Sequence, residues 1–283
     1  MNYRHAFHAG NFADVFKHAI LIGLLDALKV KPTPFCYIDT HAGAGSYDLR
    51  GLEPNKTGEF VEGVQRLLVA DTLPPTLRPY FDLLRALNAD DAQGHLNLYP
   101  GSPLIARALL RDKDRAALCE VQDDEVASLK KLFAGDARIG VHQRDGYAAL
   151  AALVPPKERR GLVLIDPPFE AQEAEFLAIE KALKAACARW PTGIYAIWYP
   201  IKLQRSLLRF YRWFGQQHMK NTLVAELLLQ PADSPLRLNG CGMVIVNAPW
   251  QFDRELNALL PDLARLLARD APAQWRAEWL TQE

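Results

Sequence analysis

Gly161-Leu162-Val163-Leu164-Ile165-Asp166-Pro167-Pro168-Phe169 is the stretch that decides how the chain is read. A short, continuous apolar run without polar alternation fits a strand covered on both faces, as in a parallel sheet flanked by helices. The prolines end it. Proline fixes its own φ and disfavours a helical conformation in the residue before it, so Asp166 is held in a stiff turn at the strand's carboxyl end. In open α/β sheets that edge is where ligands bind. The plain alternative is an ordinary strand-ending turn, which Pro-Pro pairs often make.

The residue types at 166–169 point to one kind of chemistry. The exocyclic amine of adenine is a weak nucleophile because its lone pair is delocalised into the ring. The Asp166 carboxylate and the Pro167 carbonyl can each accept one amine hydrogen, drawing the nitrogen towards a tetrahedral geometry with its lone pair free. Phe169 can stack on an unstacked base, an interaction of about 1–3 kcal/mol. The carboxylate can also take the proton that methylation releases, although electrostatic positioning outweighs base strength in such a site.

Outward from this corner, five strand-like runs alternate with helical patterns: Phe35 to Asp39, Ala117 to Val121, Ile139 to Gln143, Gly161 to Ile165 and Gly193 to Trp198. Helices are expected at Asp123 to Phe133, Tyr147 to Leu153, Ala171 to Trp190 and Lys202 to Gln217. This is the rhythm of a parallel sheet with helices on both sides. Leu223 to Leu229 and Met243 to Asn247 are joined too tightly for a crossover helix, so they form an antiparallel pair. The expected architecture is α/β, a Rossmann-like class I methyltransferase: seven strands, mostly parallel, the last antiparallel, with a helix at Phe252 to Arg269 closing one face. Residues 1–45 and 101–283 make that domain. Residues 46–100 form a small helical insertion, with patterns at Thr57 to Ala70 and Thr76 to Ala89 and no convincing strand.

Three further groups fall at strand ends. Asp39-Thr40-His41-Ala42-Gly43-Ala44-Gly45 follows the first strand, and Gly43 lets a cofactor approach the backbone. A nicotinamide fingerprint would need a third glycine where Asp48 stands, and no ribose-binding acid falls at a second strand, so a dehydrogenase is set aside. Glu120, ending the second strand, can accept both hydroxyls of a ribose; Asp145, after the third, can take the adenine amine of the same cofactor, with Gly146 keeping the ring's path clear. Each acid alone reads equally as a helix cap or a surface charge.

The 283 residues are 49% hydrophobic, enough for one large domain, and Lys+Arg and Asp+Glu both number 33. A net charge of zero gives no long-range pull on a polyanion, so any grip on nucleic acid is local. Three patches qualify: Tyr3 to His18, Lys157 to Arg160, and Lys202 to Arg212, where arginines alternate with aromatics. Each also reads as a solvated surface. Cys36, Cys119, Cys187 and Cys241 are scattered, which suggests neither a disulfide framework nor a zinc site, and His5, His8, His18 and His41 match no zinc spacing. No metal is expected. Lys17 and His18 read either as partners of a cofactor carboxylate or as a solvated helix face. With no apolar span or signal peptide, a cytoplasmic monomer without membrane contact is expected.

Tyr-Arg-His-Ala-Phe-His-Ala-Gly-Asn-Phe-Ala-Asp-Val-Phe-Lys-His at 3–18, Asp-Thr-His-Ala-Gly-Ala-Gly at 39–45, Tyr-Pro-Gly-Ser-Pro at 99–103, Asp-Pro-Pro-Phe at 166–169 and Gly-Ile-Tyr-Ala-Ile-Trp-Tyr-Pro at 193–200 together resemble the RlmJ family of bacterial 23S ribosomal RNA adenine-N6 methyltransferases. The likeness spans nearly the whole chain. It implies S-adenosylmethionine as methyl donor, 23S ribosomal RNA as partner and N6-methylation of a specific adenine. It makes Asp166 catalytic, and His18, His41, Ser102, Glu120, Asp145 and Gly146 cofactor contacts, with Lys17 beside them and Tyr3 near the target base. Pro167 and Phe169 complete the catalytic corner, and Gly43 joins the cofactor set. Ser102 and Tyr3 come from the resemblance alone. One departure is that Phe169 stands where a Tyr is common, which keeps stacking but removes a phenol hydrogen bond. Rival readings are a DNA amino-methyltransferase, disfavoured by the neutral charge and the lack of a target-recognition domain; a protein-glutamine methyltransferase, which more often has Asn first; and a non-catalytic RNA-binding protein.

Overall fold

The computed structural model describes residues 4–70, 72–90, 95–217, 219–231, 234, 238–269 and 271–282. Its strands are β1 Cys36–Asp39, β2 Ser46–Asp48, β3 Leu98–Pro100, β4 Arg115–Glu120, β5 Ile139–Gln143, β6 Gly161–Ile165, β7 Ile194–Ile201, β8 Thr222–Leu228, β9 Gly240–Val246 and β10 Gln274–Thr281. Eight of them form one sheet in the order β10-β8-β9-β7-β6-β1-β4-β5. From β7 to β5 all pairings are parallel, whereas β9 runs against both β7 and β8. Every residue of β6 is buried, as its unbroken apolar run requires.

The sheet separates two cores, and strand side chains alternate between them with period two. Leu162 and Leu164 of β6 join the face covered by the helices Phe12–Lys29, Ser102–Leu109 and Phe252–Leu267. Val163 and Ile165 join the other face, under the helices Gly146–Leu153, Gln172–Arg189 and Leu208–Gln216. The fold is the class I methyltransferase architecture with one strand more than expected. β10 pairs antiparallel with β8, so the final helix is not the last element. Its Gln274, Arg276 and Glu278 interrupt any apolar run, which left it invisible in the sequence. Arg276 reaches across to the buried Glu226 of β8 at 2.5 Å, so a cross-strand ion pair helps fasten this edge.

The stretch 46–100, expected to hold helices and no strand, is bracketed by β2 and β3, which pair antiparallel and close it at its base. The helix expected over Thr57 to Ala70 is broken: Leu52–Thr57 ends at Gly58, at φ +67°, and a second helical segment starts at Val61. A Cβ on Gly63 would lie 2.1 Å from the Gly10 carbonyl oxygen, because the N-terminal segment crosses there. Tyr80 and Tyr99 bury their rings in the same core as the helix Phe12–Lys29.

That helix is buried on almost every side. Asn11 caps it by accepting from the Asp14 N–H at 2.9 Å. A solvated face for Lys17 and His18 is therefore excluded: they are 5% and 1% exposed. No helix among the described residues is long and apolar enough to cross a membrane.

Candidate active site

The carboxyl ends of β1, β4, β5 and β6 converge on a cavity of about 670 Å³, within the roughly 300–1,000 Å³ of sites that enclose a small ligand. Lys17, His18, His41, Gly43, Ser102, Glu120, Asp145, Gly146, Asp166, Pro167 and Phe169 all line it. Tyr3 lies outside the described residues.

Asp166 directly follows β6, and its Oδ2 accepts from Lys17 Nζ at 2.6 Å. The same ammonium lies 2.8 Å from Asp14. Burial pushes the Lys17 ammonium down, but the Asp14 and Asp166 carboxylates more than reverse this and hold its pKa well above the lysine range. Asp14 is likewise penalised by burial, yet His5 and Lys17 hold its carboxyl well below the usual range. It also accepts from His5 Nε2 and from the Gly10 N–H, both at 2.9 Å. The result is a buried chain, His5–Asp14–Lys17–Asp166, whose last carboxylate is orientated by a fixed cation on the cavity wall.

His18 is the next residue on the same helix, but burial drives its pKa down to about 3, so the ring is neutral. Its Nδ1 meets the Tyr99 hydroxyl at 2.9 Å, and that hydroxyl meets Tyr80's at 3.0 Å. Burial also lowers the His41 pKa; its Nδ1 lies 2.8 Å from Thr40 Oγ1 and its ring meets Tyr147 edge-on.

Glu120 ends β4 with its carboxylate held by three backbone N–H groups: Gly43 at 2.9 Å, Val121 at 2.7 Å and Gln122 at 3.0 Å. Gly43 has φ +57°, and a Cβ there would come 2.5 Å from the Tyr47 hydroxyl. Asp145 caps the helix Gly146–Leu153 through the Ala148 N–H at 2.8 Å, so the cap reading holds for this acid. Ser102 opens the helix Ser102–Leu109 and gives its hydroxyl to Asp39 at 2.7 Å. Burial raises the Asp39 carboxyl to about 6, opposed by the hydrogen bonds from Tyr37 and Ser102.

Gly146 has a stronger reason than a clear path for a ligand. A Cβ there would sit 2.0 Å from the Thr40 carbonyl oxygen, a backbone atom with nowhere to go. Gly146→Ala is therefore expected to destabilise the protein by about 1–3 kcal/mol, the range for overpacking. Urea unfolding measures this, and a change within error would contradict the packing described.

Phe169 sits at φ +49° with 4% exposure, its ring edge-on to Phe176 and Trp198. A bulky residue in the left-handed region costs about 1–3 kcal/mol. The corner thus stores strain beside Asp166 on the cavity wall.

Sequence reasoning gave no role to Tyr147, Glu175 and Trp198 on the cavity wall, and took His5, Asp14 and Lys202, which also line it, only as members of basic patches. Tyr147 donates to Glu175 at 2.6 Å. Trp198 and Lys202 carried a positional signal as well, since they flank the carboxyl end of an expected strand.

Comparison with known proteins places the chain in a family. The family described as "Ribosomal RNA large subunit methyltransferase D, RlmJ" matches residues 32–281. Proteins from Haemophilus influenzae and Escherichia coli K12, both named "Ribosomal RNA large subunit methyltransferase J", are each 38% identical over 283 residues, covering 100% of both chains. The crystal structure of protein LPL1258 from Legionella pneumophila is 35% identical, covers 96% of this chain and 98% of its own, and superposes with a TM-score of 0.87. With a model match over most of its length and full-length relatives of this identity, the chain belongs to the RlmJ family of ribosomal RNA large subunit methyltransferases.

Proposed function

We propose that the protein transfers the methyl group of S-adenosylmethionine to the exocyclic N6 amine of one adenine in 23S ribosomal RNA. The observation that carries this is the Asp166 carboxylate, fixed by Lys17, on the wall of the cavity that also holds Gly43, Glu120 and Asp145. The relatives' shared name supports ribosomal RNA as the acceptor.

The residues present fit the donor. The cofactor supplies an electrophilic methyl on a sulfonium. Glu120 is held by three N–H groups, and a carboxylate can accept further hydrogen bonds from ribose hydroxyls. One Asp145 oxygen is used in capping, which leaves the other for an amine. Gly43 removes side-chain bulk beside them. Lys17 is committed to Asp14 and Asp166, and His18 is neutral, so neither offers an uncommitted cation to the methionine carboxylate. The helix start at Gly101–Ser102 is the alternative holder, since helix N-termini favour anions.

In this reading Asp166 and the Pro167 carbonyl accept the two amine hydrogens. Transfer would form the N–CH₃ bond as the donor's S–CH₃ bond breaks and leaves a neutral thioether, with Asp166 placed to take the proton that the amine gives up. Lys17 keeps Asp166 aimed. Stacking on Phe169 requires the strained 166–169 corner to open from its present packing. Residues 1–45 and 101–283 form the catalytic body in this reading, and 46–100 an inserted unit upon it.

An assay with labelled methyl donor against protein-free 23S ribosomal RNA, large subunits, duplex DNA and protein tests this, with nucleoside analysis of the product. N6-methyladenosine in RNA is expected. Label confined to DNA or protein, or on another base, overturns the proposal. Glu120→Ala is expected to weaken donor binding by about 1–3 kcal/mol, as for a lost charged hydrogen bond. An unchanged affinity by calorimetry would remove Glu120 from the site.

A further inference from the structure

We infer that the RNA backbone is gripped by the surface that leaves β7, with Lys202, Arg205 and Arg212 as its phosphate contacts. This deepens the proposed function and rests on it for the identity of the RNA. Lys202 follows β7 and lines the cavity with Asp166. Beyond it, Leu207, Phe210 and Phe214 bury one face of the segment 204–216, leaving Arg205, Arg209 and Arg212 exposed on the other. Residues three and four apart on a helix lie about 5–6 Å from each other, so the cations form a row that begins at the cavity mouth. Arg209 is already spent on Glu180 at 2.8 Å. Lys202, Arg205 and Arg212 form no ion pair with the described residues.

Sheet order gives the row its meaning. Along the carboxyl edge the sequence is β7, β6, β1, β4, so Asp166 lies between Lys202 on one side and the end of β4 on the other. That other rim is acidic: Asp123, Asp124 and Glu125 open the helix after β4, and Glu125 faces the cavity. It repels phosphate. Of the two other basic runs, 157–160 precedes β6 and sits at the opposite edge of the sheet from the cavity, while in 3–18 Arg4 lies against Asp123, Asp124 and Glu125, and the cavity-facing His5 and Lys17 are paired with Asp14. On the β7 side a polyanion therefore meets a continuous row of cations leading to Asp166, which sets the direction from which a base reaches it. Such a local field is what a chain of zero net charge needs.

The test measures binding of a fluorescein-labelled RNA hairpin by anisotropy across a salt series, alongside methylation kinetics. Arg205→Ala/Arg212→Ala is expected to weaken RNA binding about tenfold and to flatten the slope of log affinity against log salt by about 1–2. Its KM for RNA should rise with kcat and donor affinity unchanged. Lys113→Ala/Lys157→Ala, an equal charge change at the far edge of the sheet, should match the wild type. Equal effects of the two double variants, or no RNA binding by the wild type, would overturn the surface. Patch-dependent RNA binding without methylation would instead leave the surface standing and defeat the proposed reaction.

Discussion

Asp166→Asn is expected to reduce methyl transfer by at least about 10²–10³-fold, the scale of losing a positioned electrostatic group, while donor affinity stays within about twofold. Asparagine keeps the shape of the side chain and one acceptor oxygen, but it is neutral and cannot take the proton that the amine must lose. Asp166 stands between Lys17 and the cavity, not among the groups of the Glu120 side, so its loss should fall on the acceptor amine. Single-turnover rates together with calorimetry of donor binding separate the two. A variant that loses both equally would make Asp166 a structural residue and remove the chemical assignment.

The acids at strand ends were legible because topology fixes where a strand end points. Once the apolar runs at 35–39, 117–121, 139–143 and 161–165 are placed in one parallel sheet, Gly43, Glu120, Asp145 and Asp166 can only crowd one edge. Lys17 was legible as a residue but not as a partner: its ion pair with Asp166 spans 149 residues, and no local pattern encodes a contact that depends on a helix crossing the sheet. Pairing also escaped notice where strands were short or polar. β2 and β3 have three residues each, too few for a period, and β10 alternates charged with apolar residues as an edge strand does. Gly146 reads in the sequence as a cofactor clearance and Gly63 as part of a continuous helix, yet the carbonyls that exclude a Cβ there belong to Thr40 and Gly10, distant in sequence.

Lys17→Met is expected to cost about 3–5 kcal/mol of stability at neutral pH, the penalty for leaving a buried charge without its partner. Asp14 is 2% exposed and would keep only its hydrogen bonds to His5 and the Gly10 N–H, and Asp166 would lose its cation altogether. The sign of the pH dependence follows. In the wild type the Asp14 pKa is depressed, so its contribution is present above the unfolded carboxylate pKa and is lost as pH falls through the lower folded one. Lys17 has a raised folded pKa, so its contribution is full at every pH below the ordinary lysine value and disappears only above it. Without the ammonium the Asp14 carboxyl rises under its burial penalty, so acid relieves the variant by protonating the stranded group, whereas the wild type keeps its Asp14 contribution down to the unfolded carboxylate pKa. The stability gap should therefore narrow from pH 7 to pH 4.5, and Lys17→Arg, which keeps the charge, should close most of it at pH 7. Urea unfolding of the three proteins at both pH values measures this, with methylation rates on the folded fraction. A gap that is small at pH 7, or that widens in acid, would mean the ammonium does not hold the two carboxylates, and with it would go the account of how Asp166 is aimed.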